Sequence, residues 1–460
     1  MSYDHLPQEL HELAQKAQAI QSLALNLGAE EVVISIGSSV SNERSQRNKT
    51  LEKCQQSRSM GISVRLLVDG RYSVHSASDP NPKSMKPFLK RAIDSTRYLE
   101  QDPHRNILQR HEMSYSDVSN LKLLDSSWSA QGPDDRNKSL NDLEEACLSE
   151  ANQHTTTVRS VTAHVWDSYS KSVLLFSNGH SCGWSRTSFG KGAELTLVEH
   201  RQKEDGSQME RLPEAYDFYS ARQLSSLPTD TEVASSLFVR GARRMSSGPI
   251  QSQKLPIILE NRAVGRILGM ILSPLSGGAI YEKRSCMLER LNTTIGSSSL
   301  TIYDDPMVPM GLASSPYTAD GQSRHTTPLI TNGVLNNYLL SLYNARRLNM
   351  SPTTGGSTSN IVIDPGPRSE QELLKALPKA VRIEGFLGGN ANSLTGDFSY
   401  GITGTYFEYG EPVSRLSEMN ISGNLFSLLE SYLEPASNTW TFSSYRTPSL
   451  LFDAAQLSGL

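Results

Sequence analysis

The sequence predicts an α+β fold. An N-terminal region of two helix–strands–helix α/β units, about 1–105 and 106–247, precedes a β-rich domain over 248–460 built on a strongly curved antiparallel sheet. Three observations predict it. The order helix, strands, helix occurs twice before residue 247. After Gly248-Pro249, short β-rich runs and glycines replace the long periodic segments. Glycines also fall inside strand-like stretches, as a sheet that must bend requires. At about 150 residues per domain, 460 residues accommodate roughly three such units.

The first unit opens on an amphipathic helix. Leu10, Leu13, Ala17, Ile20, Ala24 and Leu27 recur at helical spacing, and Gly28 is its stop. Glu31–Ile36 reads as a buried strand and Ser41–Gln56 as a polar, charged stretch. Alternation returns at Ile62, Val64, Leu66 and Val68, and Asp69-Gly70 is a two-residue hairpin turn leading into Arg71–Ala77. Lys86–Leu99 reads as a helix with Pro87 in its first turn. The second unit has a helix over Ser139–Asn152 with Ser139 as N-cap. Strand-like runs follow at Val158–Trp166, Ser172–Phe176, Trp184–Phe189 and Ala193–His200, then a helix over Asp230–Met245. Beyond residue 248 come a short apolar strand at Pro256–Leu259 and a helix at Ala263–Leu272. Strands at Val334–Tyr343, Asn360–Ile363, Val381–Phe386 and Tyr400–Tyr409 complete the reading.

Composition excludes several function classes. Hydrophobic residues make up 37% and charged residues 20%, which suits a folded chain. The net charge of −4 and pI near 6.2 give no basic stripe for phosphate neutralisation, so nucleic-acid binding is not expected. The longest apolar stretch, Ile267–Leu275, is interrupted by Ser273 and Pro274 and is shorter than the roughly 20 residues a membrane span needs. Cys54, Cys147, Cys182 and Cys286 lie far apart without a CxxC pair, as expected of free thiols in a reducing cytoplasm. The polar start Met1-Ser2-Tyr3-Asp4-His5 lacks a secretory pattern, so a cytoplasmic location is expected.

No catalytic motif emerges from spacing alone. A helical zinc-peptidase motif needs two histidines on one face with a glutamate beside them. The pairs His11-Glu12 and His111-Glu112 each lack the second histidine and read as ordinary surface residues, and the other histidines are scattered. There is no Gly-x-Ser-x-Gly and no phosphate loop. Arg240-Gly241-Ala242-Arg243-Arg244 reads as a solvated face or a match to a helix C-terminal dipole. The stretch Gly385–Gly404 holds six glycines among strand-like residues. Either these allow bulges and corners, or they let an extended peptide backbone approach.

That stretch carries a family resemblance. Leu394-Thr395-Gly396-Asp397-Phe398-Ser399-Tyr400-Gly401, Gly404, Glu408-Tyr409-Gly410-Glu411 and Ile421-Ser422-Gly423-Asn424-Leu425 resemble the C-terminal signature of the TldD/PmbA family. So do Tyr303-Asp304-Asp305-Pro306, Gly311, Asp320-Gly321 and Asn332-Gly333-Val334-Leu335. Ser276-Gly277-Gly278-Ala279 with Arg284-Ser285 is similar to the PmbA (TldE) side of the family, and Gly28-Ala29-Glu30 with Gly61 to Gly70 to its N-terminal domain.

The resemblance implies a PmbA/TldD-like fold and one subunit of a heterodimeric cytoplasmic zinc peptidase that trims unfolded or modified precursor peptides. In such a pair the TldD subunit carries a His-Glu-x-x-x-His motif and a later cysteine, whereas the TldE/PmbA subunit lacks them and completes the chamber. Placed on Pro256 and Gly265, the motif's histidines fall on Gly269 and Pro274 and its glutamate on Met270, and no cysteine follows Cys286. Asn392-Ser393-Leu394 stands where PmbA-type chains commonly read Asn-Pro-Val. The expectations are no catalytic residue and no metal ligand in this chain, with zinc in a TldD-like partner. Gly389, Asn390, Asn392, Thr395, Gly396 and Asp397 are expected to form a peptide-facing wall. The alternative is a homodimeric peptide-binding module without peptidase activity.

Overall fold

The computed structural model describes residues 3–109, 112–113, 120–202 and 205–459. In the N-terminal part, α1 (His11–Asn26) leads into β1 (Glu31–Arg47), β2 (Thr50–Val68), β3 (Arg71–Ala77) and α2 (Pro82–Thr96). Next come α3 (Pro133–Ala151), β4 (Val158–Phe176), β5 (Ser181–Leu197), a small hairpin of β6 (Glu199–Gln202) and β7 (Gln208–Arg211), β8 (Glu214–Ala221) and α4 (Asp230–Ala242). The strands of the two predicted units join in one six-stranded sheet of order β3-β2-β1-β4-β5-β8. The junction is antiparallel from Val33↔Phe176 to Arg47↔Thr162.

Several sequence expectations change here. The polar, charged Ser41–Gln56 stretch, given no secondary structure from sequence, is strand: β1 and β2 run through it as a 17- and 19-residue ribbon turning at Asn48-Lys49, both with positive φ. The four short runs of the second unit fuse into β4 and β5. Helix α2 starts at Pro82, capped by the Asn81 side chain accepting from Lys83 N at 3.0 Å, so Pro87 lies inside the helix rather than in its first turn. Helix α3 starts at Pro133, not after Ser139, because the Asp135 carboxylate accepts from Gly132 N at 2.7 Å and fixes the start about two turns earlier. Helix α4 starts where expected, with Thr229 and Glu232 in a reciprocal capping box.

The sheet is sided. Leu13, Ala17 and Ile20 of α1 and Leu89 and Ile93 of α2 bury Ile34, Ile36, Val64 and Leu66. Leu143 of α3 and Leu237 of α4 do the same for Val161, Ala163 and Leu195. On the other face, Val33, Leu174 and Phe176 meet Tyr317 and Leu342 of the C-terminal part.

The C-terminal part comprises β9 (Gln253–Leu259), α5 (Val264–Leu272), α6 (Gly277–Tyr281), β10 (Ile302–Asp305), β11 (Thr327–Thr331), β12 (Val334–Leu335) and α7 (Leu342–Leu348). It continues with β13 (Asn360–Val362), α8 (Glu370–Lys375), β14 (Lys379–Ala391), β15 (Asp397–Glu408) and β16 (Glu411–Asn424). Helix α9 (Leu425–Glu430), β17 (Tyr432–Pro435), β18 (Tyr445–Arg446) and β19 (Leu450–Ser458) end it. One sheet has the order β16-β15-β14-β9-β19-β17, and an added β16–β19 pairing closes it into a barrel. The curvature is as expected, though β14 and β9 pair in parallel. A smaller sheet has the order β12-β11-β10-β13-β18. The predicted strand Val334–Tyr343 is overturned after Leu335. Ser341 caps α7 by accepting from Asn344 N, and Asn349 ends it in the left-handed conformation.

Candidate functional site

Helix α5 is apolar at Val264, Ile267, Leu268, Ile271 and Leu272, and these side chains fill the barrel core. The remaining stripe is small or polar: Gly265, Arg266, Gly269 and Ser273. That stripe, with Met270 and Pro274, floors an open cavity of about 480 Å³. The facing wall is Ala391, Asn392, Ser393, Gly396 and Tyr400, closed by Leu425. At Gly269 an added Cβ would meet nothing within 4 Å, so the helix presents bare backbone to open space.

The wall is the β14–β15 turn. Asn392 Oδ1 accepts from Leu394 N at 2.9 Å and Gly396 N donates to Asn392 O at 2.8 Å, and Gly396 takes φ +83 to complete the reversal. Ser273 and Ser393 hydroxyls, 3.3 Å apart, link the end of α5 to this turn. Asp397 accepts from Thr395 Oγ1 at 2.7 Å and Asn424 Nδ2 at 3.0 Å, and these bonds hold its carboxyl below the usual aspartate range. Of the six wall residues read from sequence, Asn392 and Gly396 line the cavity. Thr395 and Asp397 brace the turn from the side. Gly389 and Asn390 sit at a bulge in β14, where Gly389 at φ +87 passes so close to β15 that a Cβ would lie 2.2 Å from Ser399 O.

Sequence reasoning missed Gly265, Arg266, Ser273 and Tyr400. The available signal was a single arginine and two glycines on one face of an otherwise apolar helix. The basic run at 240–244 is not a solvated face. Arg240 and Arg243 turn inward onto Glu260 at 3.2 and 3.4 Å, tying α4 to the end of β9. His11 Nε2 bonds Leu6 O and Glu12 pairs with Lys16, both at the start of α1. His111 lies outside the described residues, and Glu112 pairs with Arg346 at 3.0 Å. Cys147 and Cys182 are buried, which pushes both thiols up to about 12.

A catalytic zinc does not fit this cavity. Its lining contains no imidazole, thiolate or carboxylate. Gly269 has room for a side chain and supplies none. Among the described residues no three His, Cys, Asp or Glu side chains gather where an ion could sit.

Residues 252–459 match the PmbA/TldA metallopeptidase C-terminal domain and residues 32–96 match PmbA/TldA metallopeptidase domain 1. The chain belongs to the PmbA/TldD family. It is 25% identical to Metalloprotease PmbA of Escherichia coli, over 86% of this chain and 85% of the relative. With the Metalloprotease PmbA homolog of Haemophilus influenzae it shares 23% identity, over 97% and 96%. A crystal structure from Bacteroides thetaiotaomicron, described as a modulator of DNA gyrase, is 30% identical and covers 98% of this chain and 99% of its own, with a TM-score of 0.90. TldE from Thermococcus kodakarensis shares the fold at a TM-score of 0.82 and 18% identity, over 96% and 100%. No helix among the described residues is long and apolar enough to cross a membrane.

Proposed function

We propose that this chain is the zinc-free, TldE/PmbA-like subunit of a TldD–TldE-type peptidase that trims unfolded or modified precursor peptides in the cytoplasm. The observation that carries the reading is the cavity floor. Gly269, Met270 and Pro274, the positions that correspond to the motif, line the largest of the cavities described, and none offers a ligand or a base. On this reading zinc belongs to a TldD-like partner, and this chain supplies the wall against which an extended peptide lies. Bare helix backbone at Gly269 lets a peptide approach closely, while Asn392 and Ser393 offer polar groups to its main chain.

The test compares this chain alone with this chain mixed with a TldD-like protein. Zinc per chain is measured by atomic emission, and cleavage on an unstructured peptide. Near-stoichiometric zinc and cleavage are expected only in the mixture. Tight stoichiometric zinc together with cleavage by the isolated chain would overturn the assignment. A stable homodimer that ignores the partner would favour a peptide-binding module instead.

A further inference from the structure

Arg266 lines two cavities at once. One is the cavity over α5. The other, of about 310 Å³, lies where β8 and α4 meet the start of α5 and β14. The Arg266 side chain is exposed and its guanidinium stands over the Tyr400 ring at 5.3 Å, which directs it along the floor.

The second cavity has an aromatic side formed by Tyr216, Phe218, Phe386 and Trp440. Tyr216 and Phe218 are stacked and remain exposed at 63% and 36% on the sheet edge, an unusual place to leave two rings uncovered. Its carboxylates are already engaged. Asp217 is held by Arg262 and by Tyr219 Oη at 2.8 Å. Glu384 is held by Arg382 at 2.6 Å and Thr405 at 2.8 Å.

Two cations are left over. Neither Arg266 nor Arg244 makes an ion pair with another described residue. The Arg244 guanidinium stands against the cavity wall at Gly385, where an added Cβ would be 3.5 Å from it. Burial, with the charge of Arg240 adding to it, pushes the Arg244 guanidinium down despite the opposing pull of Glu384, so its surroundings favour an incoming negative charge.

The dimensions suit a peptide end. From Ser273 back to Gly265 the helix rises about 12 Å at 1.5 Å per residue, the length of three to four extended residues at about 3.3 Å each. We propose that Arg266, assisted by Arg244, is a carboxylate-recognition site at one end of the cavity, taking a carboxylate of a bound peptide while the Tyr216–Phe218 side covers the adjoining apolar group. The inference rests on the reading that the cavity takes a peptide. A C-terminal α-carboxylate and a glutamate or aspartate side chain present the same chemistry to a guanidinium.

Three fluorescein-labelled hexapeptides of one neutral sequence distinguish these sources when titrated against the full chain by fluorescence anisotropy. One is a free acid, one a C-terminal amide, and one an amide with a glutamate near its end. The free acid or the glutamate amide is expected to bind about fivefold more tightly than the plain amide, and whichever does so names the source. Arg266→Gln is expected to abolish the preference and Arg266→Lys to keep part of it. Arg266 is exposed, so these variants leave the core intact. Equal affinity for all three peptides, a preference that survives Arg266→Gln, or no binding of any peptide would overturn the proposal. The zinc and cleavage measurements decide the subunit assignment separately.

Discussion

Two hairpins of this molecule use the same antiparallel ladder to opposite ends. The β1–β2 ribbon runs from Glu31 to Val68 with one irregularity, at Ser45/Gln46; its glycines Gly37 and Gly61 sit opposite each other, and at Gly61 an added Cβ would meet nothing within 4 Å. The shorter β14–β15 hairpin breaks register twice, at Ile383/Gly385 and Leu387/Asn390, and β15–β16 breaks it twice more. Gly389, Gly401 and Gly404 there lie so close to the neighbouring strand that a Cβ would fall 2.2, 2.3 and 2.1 Å from a carbonyl oxygen. A regular ladder extends; an interrupted one turns, because each bulge adds local twist. The interrupted hairpin curves the barrel wall and aims its turn at α5, so the cavity lies where the ladder is broken.

Substitutions can break or sharpen this contrast. The largest effect is expected from Gly404→Ala, whose methyl would meet Arg382 O in the closed barrel. It should cost about 3 kcal/mol, read as a lowered urea midpoint. Asn424→Ala comes next. It removes the bonds to Thr395 O and Asp397 Oδ1 and the cap on α9, where Asn424 Oδ1 accepts from Phe426 N at 3.1 Å. About 1–2 kcal/mol should be lost, with hydrogen exchange rising first at residues 392–397.

Acid should separate the two regions. Burial lowers His75 on β3, and His164 on β4 even though Glu194 lies 3.6 Å from it. The folded state therefore binds their protons less readily than the unfolded chain. Stability present above pH 6.5 is lost as pH falls below it toward the depressed folded values. Asp397 is also depressed, so its contribution is present above the usual aspartate value of 3.8 and lost only below it. Lowering pH from about 7.5 to 5.5 should speed exchange in β3 and β4 and leave the β14–β15 turn unchanged. Uniform acceleration would contradict this. The smallest effect is expected from Gly61→Ala, where nothing stands within 4 Å. It should raise stability by about 0.5 kcal/mol.

What the sequence reveals of this contrast follows from where its local signals are strong. Asp69-Gly70 marks its hairpin because both residues must take positive φ, and Thr229 with Glu232 marks the start of α4 because both are cap ligands. The length of β1 and β2 is not legible. Between Ser38 and Gln56 neither face is apolar, and the neighbouring strands rather than a hydrophobic period keep the chain extended. Leu339 and Leu340 read as strand, yet the Ser341 cap turns the chain into α7 immediately after them. In the site, Asn392 and Gly396 are visible through the density of glycines around them and the family resemblance, not through any turn read at that point. The floor is not, because Gly265, Gly269 and Arg266 matter only once the barrel has buried the other face of α5. The inward turn of Arg240 and Arg243 is hidden for the same reason: their partner Glu260 belongs to the next structural layer.

The barrel closes late in chain order. Strand β19 lies between β9 on one side and β16 and β17 on the other, so β9 cannot gain its second neighbour until everything after it has been made. During synthesis a ribosome would hold β9 and the apolar stripe of α5 uncovered while the ribbon sheet behind them could already have settled. Such a nascent chain offers an extended, sticky edge for the whole interval, and it is in that interval, rather than in the finished molecule, that a chaperone would find its target.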